Sequence, residues 1–240
     1  MIGMLCIHGF TGSPYEFTPL TKYLQQETDW LVRVPTLPGH DKLCNLKNVT
    51  YTDWIRHAEE ELFMLLEKCD KVYVCGFSMG GLIAGWLTAH YPIDKLILLS
   101  PAVFYSNPKN FCLEAFEIFI DVCKKRFYNS ELFQNFKRKF LGTPILAYME
   151  FRKLVRAVRP VLDQVSTPTL IIQGKRDPIV PEKSAYYLFS KIATDEKRLL
   201  LIENAKHQIC FDRNNSKLFE EIYTFLNENR VKKKIAMTMN

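Results

Sequence analysis

The 240-residue chain has no apolar run approaching the roughly 20 residues that a membrane-spanning helix requires. Its longest apolar stretches, around residues 2–7, 96–99, 113–123 and 199–202, are short or interrupted by acids. No basic segment followed by an apolar one opens the sequence, and no small-residue cleavage site follows, so a secretory signal is not expected and the protein reads as cytoplasmic. CxxC and HExxH are both missing, which removes the common short-spaced zinc signatures; no metal is expected. Ten Gly and twelve Pro are too few for a collagenous or low-complexity chain. No internal repeat is visible.

What is present is an ordinary globular composition, 48% hydrophobic and 24% charged, enough for one large core or a core with an inserted subdomain. Seven cysteines, Cys6, Cys44, Cys69, Cys75, Cys112, Cys123 and Cys210, are scattered through apolar runs and read as reduced, mostly buried thiols. The net charge of +6 is spread along the chain rather than interleaved with aromatics, so no nucleic-acid partner is expected. Local basic clusters occur at 124–126, 137–139 and 232–234. Arg152, Arg156 and Arg159, at helical spacing, read either as a solvated face or as a contact to anionic lipid or an acidic substrate.

Short β-branched runs alternate with amphipathic stretches, the pattern of βα units feeding a mainly parallel sheet. Strands are predicted at 2–7, 30–34, 71–75, 95–99, 169–173 and 197–202, about six in all, with helices near 15–26, 51–68, 79–90, 183–192 and 214–229. Residues 1–101 and 166–230 form the expected α/β core. Between them, 102–165 shows helical patterns only and reads as an inserted helical cap. Its first helix, around 113–122, is apolar nearly all round, which fits either a lid over a nonpolar pocket or burial by its own neighbours. Residues 231–240 form a basic tail without periodicity that is expected to fray.

Directly after the third strand comes Gly76-Phe77-Ser78-Met79-Gly80-Gly81, a GxSxG motif leading into an apolar helix. A serine on a sharp strand-to-helix turn projects its hydroxyl from the sheet edge, and the helix start offers unpaired amides to a developing oxyanion. A serine hydroxyl needs a general base, and the base needs an orienting carboxylate. Of the five histidines, His207 lies in a loop just after a strand, where α/β sheets present their sites; His8, in a glycine turn, reads as a structural histidine. Asp177 also follows a strand directly, whereas Asp163 belongs to the insertion. Ser78, Asp177 and His207 are therefore the candidate triad, in Ser…Asp…His order. The turn Ile7-His8-Gly9-Phe10-Thr11-Gly12 can aim backbone amides at the same place, so the NH groups of Phe10 and Met79 are the candidate oxyanion donors.

With these elements and Pro38-Gly39-His40, the chain from Met4 to Arg230 resembles the α/β-hydrolase superfamily, in the branch of small bacterial carboxylesterases and monoacylglycerol lipases. The resemblance implies a serine esterase without a cofactor that acts through an acyl-enzyme on a small-molecule ester, its apolar acyl group held beneath the cap. Monoacylglycerol lipase activity is the alternative within that branch, and thioesters or activated amides remain open. A hydrolase-fold binding protein with little turnover is the alternative of another class. Two departures stand out. The strands that usually precede the oxyanion turn are not seen, which would leave an edge for a monomer to keep short or a homodimer to pair. Asp41 also stands where relatives carry glycine after Gly-His.

Overall fold

Strand β1 (Ile2–Ile7) is apolar on both sides: Met4 and Cys6 join one buried cluster, Leu5 and Ile7 another. Such a strand must lie inside a sheet covered on both faces, and parallel sheets provide that cover through their crossover helices. The protein is described by a computed structural model covering residues 1–41, 45–105, 145–212, 215–228 and 234–239. Its strands β2 (Leu31–Arg33), β3 (Lys71–Phe77), β4 (Lys95–Leu99), β5 (Thr169–Gly174), β6 (Lys197–Ile202) and β7 (Lys234–Met239) form one sheet with β1, in the order β2-β1-β3-β4-β5-β6-β7. Every neighbouring pair is parallel.

Helices α1 (Thr18–Glu27) and α6 (Asn215–Asn227) cover one face through Leu20, Leu24, Leu218, Ile222 and Phe225. The opposite face is covered by α2 (Tyr51–Leu66), α3 (Met79–His90), α4 (Ile145–Val158) and α5 (Lys183–Lys191). In α2 the apolar stripe Trp54, Ala58, Leu62 and Leu65 faces inward, as its spacing predicts. A capping box fixes where this helix starts: Asp53 N–H donates to Thr50 Oγ1, and Thr50 N–H donates to the Asp53 carboxylate.

Connectivity places the site. From β1 the chain steps outward to β2, then returns past β1 to β3, so β1 and β3 lie side by side with Ile7 opposite Gly76. Their carboxyl ends flank the switch point where open α/β sheets hold ligands. Strand β3 runs two residues beyond its predicted end and includes Gly76 and Phe77, so Ser78 follows the strand immediately.

The tail requires a correction. Residues expected to fray contain β7, paired along the outer edge of β6 with Arg198 opposite Lys234 and Ile202 opposite Met239. An open β6 edge would leave a row of backbone donors and acceptors without partners, and an added strand satisfies them. The six expected strands are all present, and β7 is a seventh.

Of the expected cap, the apolar helix around 113–122 and the clusters 124–126 and 137–139 lie outside the described residues. Its later part, α4 and a 3-10 turn at Arg159–Gln164, buries Phe151, Leu154, Val155, Val158 and Leu162 in the same cluster as α2 and α3. Arg152 and Arg156 are exposed on α4. Arg159 is set apart from them: it donates to Val103 O at 2.5 Å and lies over the Phe104 ring.

Candidate active site

Ser78 joins β3 to α3 with φ +53° and ψ −113°, a backbone strain that only its surroundings can hold. Its N–H donates to Leu99 O at 2.9 Å, and its carbonyl accepts from Gly81 and Ala102. The tightness of the turn explains the flanking glycines. A Cβ on Gly76 would lie 2.2 Å from Gly80 O, and one on Gly80 would lie 1.9 Å from Ile7 O. The motif is thus the condition for strand β3, helix α3 and the turn after β1 to meet.

His207 is buried in the loop after β6, and its Nε2 lies 3.1 Å from Ser78 Oγ. Its Nδ1 lies 2.7 Å from Asp177 Oδ2. An ionised carboxylate only accepts, so Nδ1 carries the proton and Nε2 is left to accept from the serine hydroxyl. Asp177, its side chain wholly buried, is held in turn: Oδ1 accepts from Ile179 and Val180 N–H, each at 2.9 Å, and Oδ2 also accepts from Gln173 Nε2 at 3.0 Å. The three side chains singled out in the sequence are therefore joined in one hydrogen-bonded chain. Such a chain can raise a serine's nucleophilicity, accept its proton and return it to a leaving group.

Beside it, Gly12 N–H donates to Gly9 O at 3.1 Å and closes the turn after β1, with Thr11 at φ +58°. Phe10 stacks on Phe151 at 5.6 Å and meets Trp54 edge-on at 5.9 Å; Tyr105 packs against Phe151 at 5.3 Å. The wall next to the turn is aromatic. Met79, the other predicted donor, is the first residue of α3, where helix amides lack intrahelical acceptors.

The remaining histidines stand apart from this chain. His8 Nε2 accepts from Leu37 N–H at 3.1 Å, so its Nδ1–H donates to Gly9 O. Burial, reinforced by His40, pushes the His8 pKa down to about 3, leaving it a neutral strut of the turn. His40, hydrogen-bonded to Pro38 O, is pushed by burial to about 4. His57 lies 3.6 Å from Glu60 on α2, and His90 stacks on Trp86.

Two supporting residues escaped the sequence reading. Gln173, which orients Asp177, was visible as the one polar residue ending the apolar run Leu170-Ile171-Ile172. Ser100 Oγ donates to His207 O at 3.3 Å, and nothing in its local sequence signals that contact.

The family model described as "Alpha/beta hydrolase family" matches residues 4–220. The chain belongs to the alpha/beta hydrolase family. Among curated relatives of this alpha/beta hydrolase, the thermostable monoacylglycerol lipase of Bacillus sp. (strain H-257) is 26% identical over 228 residues, covering 93% of this chain and 90% of the relative. The carboxylesterase of Bacillus subtilis (strain 168) is 23% identical over 225 residues, covering 93% and 91%. A solved structure from work on two metagenome-derived lipolytic enzymes, LipS and LipT, has a TM-score of 0.76 at 24% identity over 94% of this chain and 93% of its own. The monoacylglycerol lipase of Paleococcus ferrophilus gives 0.69 at 17% identity, covering 93% of each chain. Among the described residues no helix is long and apolar enough to cross a membrane, and no group of three or more His, Cys, Asp or Glu is placed to hold a metal ion.

Proposed function

We propose that the protein is a serine carboxylesterase in which Ser78 attacks the ester carbonyl, His207 takes and returns the proton, and Asp177 holds the imidazolium. The observation that carries this reading is the Ser78–His207–Asp177 chain, at 3.1 and 2.7 Å, at the carboxyl ends of the strands. The amides of Phe10 and Met79 receive the oxyanion; both stand at the ends of adjacent strands β1 and β3. The alcohol leaves with the proton from His207, and water then repeats the sequence on the acyl-enzyme to release the acid. No cofactor takes part in these steps.

The aromatic wall of Phe10, Trp54, Phe151 and Tyr105 supports a small-molecule ester with an apolar acyl group; α4, the described later part of the expected 102–165 cap, supplies Phe151 to this wall. A monoacylglycerol is the second substrate reading, favoured by the Bacillus lipase relative. The free thiols Cys6, Cys69, Cys75 and Cys210 fit a reducing compartment, hence the cytoplasm. The protein acts as a monomer or homodimer, without a nucleic-acid partner or stable membrane insertion.

Ser78→Ala and His207→Ala are each expected to lower kcat for a short-chain p-nitrophenyl ester by at least about 10⁴-fold while the fold persists. Near-normal hydrolysis by folded Ser78→Ala would overturn the assignment. Saturable ester binding without steady-state turnover by the wild type would instead support a hydrolase-fold binding protein. Comparing kcat/KM for short acyl esters with that for a long-chain monoacylglycerol separates the two substrate readings.

A further inference from the structure

Glu16 is a buried carboxylate that the serine-hydrolase chemistry does not use. It lies in the 3-10 turn Pro14–Phe17 behind the oxyanion turn. One oxygen, Oε2, accepts from Gly9 N–H at 2.8 Å; the other, Oε1, accepts from Gln208 Nε2 at 3.0 Å. Gly9 immediately precedes Phe10, and Gln208 immediately follows His207. Among the described residues no lysine or arginine pairs with it, and burial pushes its pKa up. Burying a carboxylate costs free energy that a purely structural site could avoid with a neutral side chain. The turn also makes room for it: a Cβ on Gly12 would lie 2.4 Å from Oε2.

We propose that Glu16 is a positioning residue that ties the oxyanion turn to the His207 loop, fixing the Phe10 amide against the imidazole and favouring the imidazolium by its charge. The tie joins segments 192 residues apart in the chain. Neither β1 nor β6 alone sets the distance between the oxyanion donor and the general base, because three strands separate them. The electrostatic part is a matter of the groups present. His207 faces Asp177, Ser78 and, through space, Glu16; Glu16 in turn faces His207 and the Cys210 thiol, which burial keeps protonated. Among the described residues, Asp177 and Glu16 are the carboxyl groups that face His207, and His8 nearby is neutral. Both consequences belong to the transition state, where the oxyanion and the imidazolium form together, so the effect falls on kcat.

This inference rests on the serine-hydrolase reading, and the experiment separates the two. The full-length wild type, Ser78→Ala, Glu16→Ala, Glu16→Gln and Gln208→Ala are compared for folding, kcat, KM and the pH dependence of kcat/KM on one p-nitrophenyl ester. Folded Glu16→Ala is expected to lose about 10- to 100-fold in kcat with KM changed less than about threefold, the scale of a misplaced reacting group. In Glu16→Gln the Gln208 amide can turn to pair with the new amide, restoring the tie without the charge. That variant is expected to recover most of kcat but to move the acid limb of the profile to lower pH, because His207 loses a neighbouring anion. Should both Glu16 variants fail to fold, Gln208→Ala keeps the buried carboxylate on Gly9 and removes only the link to His207; it is expected to lower kcat at least about fivefold, toward the same loss. Unchanged kcat and pH profile in folded Glu16 variants, or unchanged kcat in Gln208→Ala, overturns the proposal while leaving the triad standing. Turnover that survives Ser78→Ala overturns the reading beneath it.

Discussion

At the scale of single residues, the strand-to-helix turn at Ser78 is governed by van der Waals distance more than by chemistry. A methyl group on Gly80 would meet Ile7 O at 1.9 Å, so strand β1 and helix α3 would have to separate. Gly80→Ala is expected to destabilise the fold by about 3 kcal/mol or more, measured by urea unfolding. A loss below about 1 kcal/mol would mean that the turn can relax without opening the site. Ser78, Asp177 and His207 were legible as candidates because each follows a strand directly and the GxSxG motif stands between a strand and an apolar helix. Gln173 was half legible, as a polar residue ending an apolar strand. Glu16 was not legible at all: its role depends on Gln208, a partner that only the completed sheet brings within reach.

At the scale of elements, the six strands predicted from β-branched runs and the five core helices predicted from 3.6-residue periodicity are present, with ends shifted by a few residues. Both signals are local and survive without knowledge of tertiary contacts. The seventh strand was missed because its stabilising partner, the β6 edge, lies in another part of the sequence. The end of α6 delivers the chain there: Lys95 Nζ donates to Phe225 O and Glu228 O, and Arg198 on β6 pairs with Glu228. Deleting residues 231–240 is expected to lower Tm by about 5 °C or more. The bared edge should also increase self-association, read by light scattering after size exclusion. An unchanged Tm would show that β7 adds no stability.

At the scale of the whole molecule, two buried neutral histidines make the fold sensitive to acid. The unfolded chain binds protons at His8 and His40 near pH 6.5, whereas in the folded protein they bind near pH 3 and 4. Between those limits the unfolded state holds more protons, so stability is full above about pH 6.5 and is lost as pH falls toward the folded values. Each histidine is expected to remove about 2 kcal/mol between pH 7 and pH 5. The raised pKa of Glu16 acts in the opposite sense, since a carboxyl that protonates more readily when folded adds stability as pH falls. A net loss of unfolding free energy at pH 5, measured in urea, is the expected result; equal values at the two pH values would contradict the neutral, buried state of His8 and His40. The same fold that buries these histidines brings Ser78 to within 3.1 Å of His207, 129 residues away in the chain.

The central claim is that Ser78 is an activated nucleophile, and mass mapping of a fluorophosphonate adduct tests it most directly. Folded wild-type protein is predicted to take up one probe, located on Ser78, at a rate that falls with protonation of His207, and Ser78→Ala to take up none. A folded wild type that stays unlabelled, or an adduct on another residue that persists in Ser78→Ala, would contradict the account.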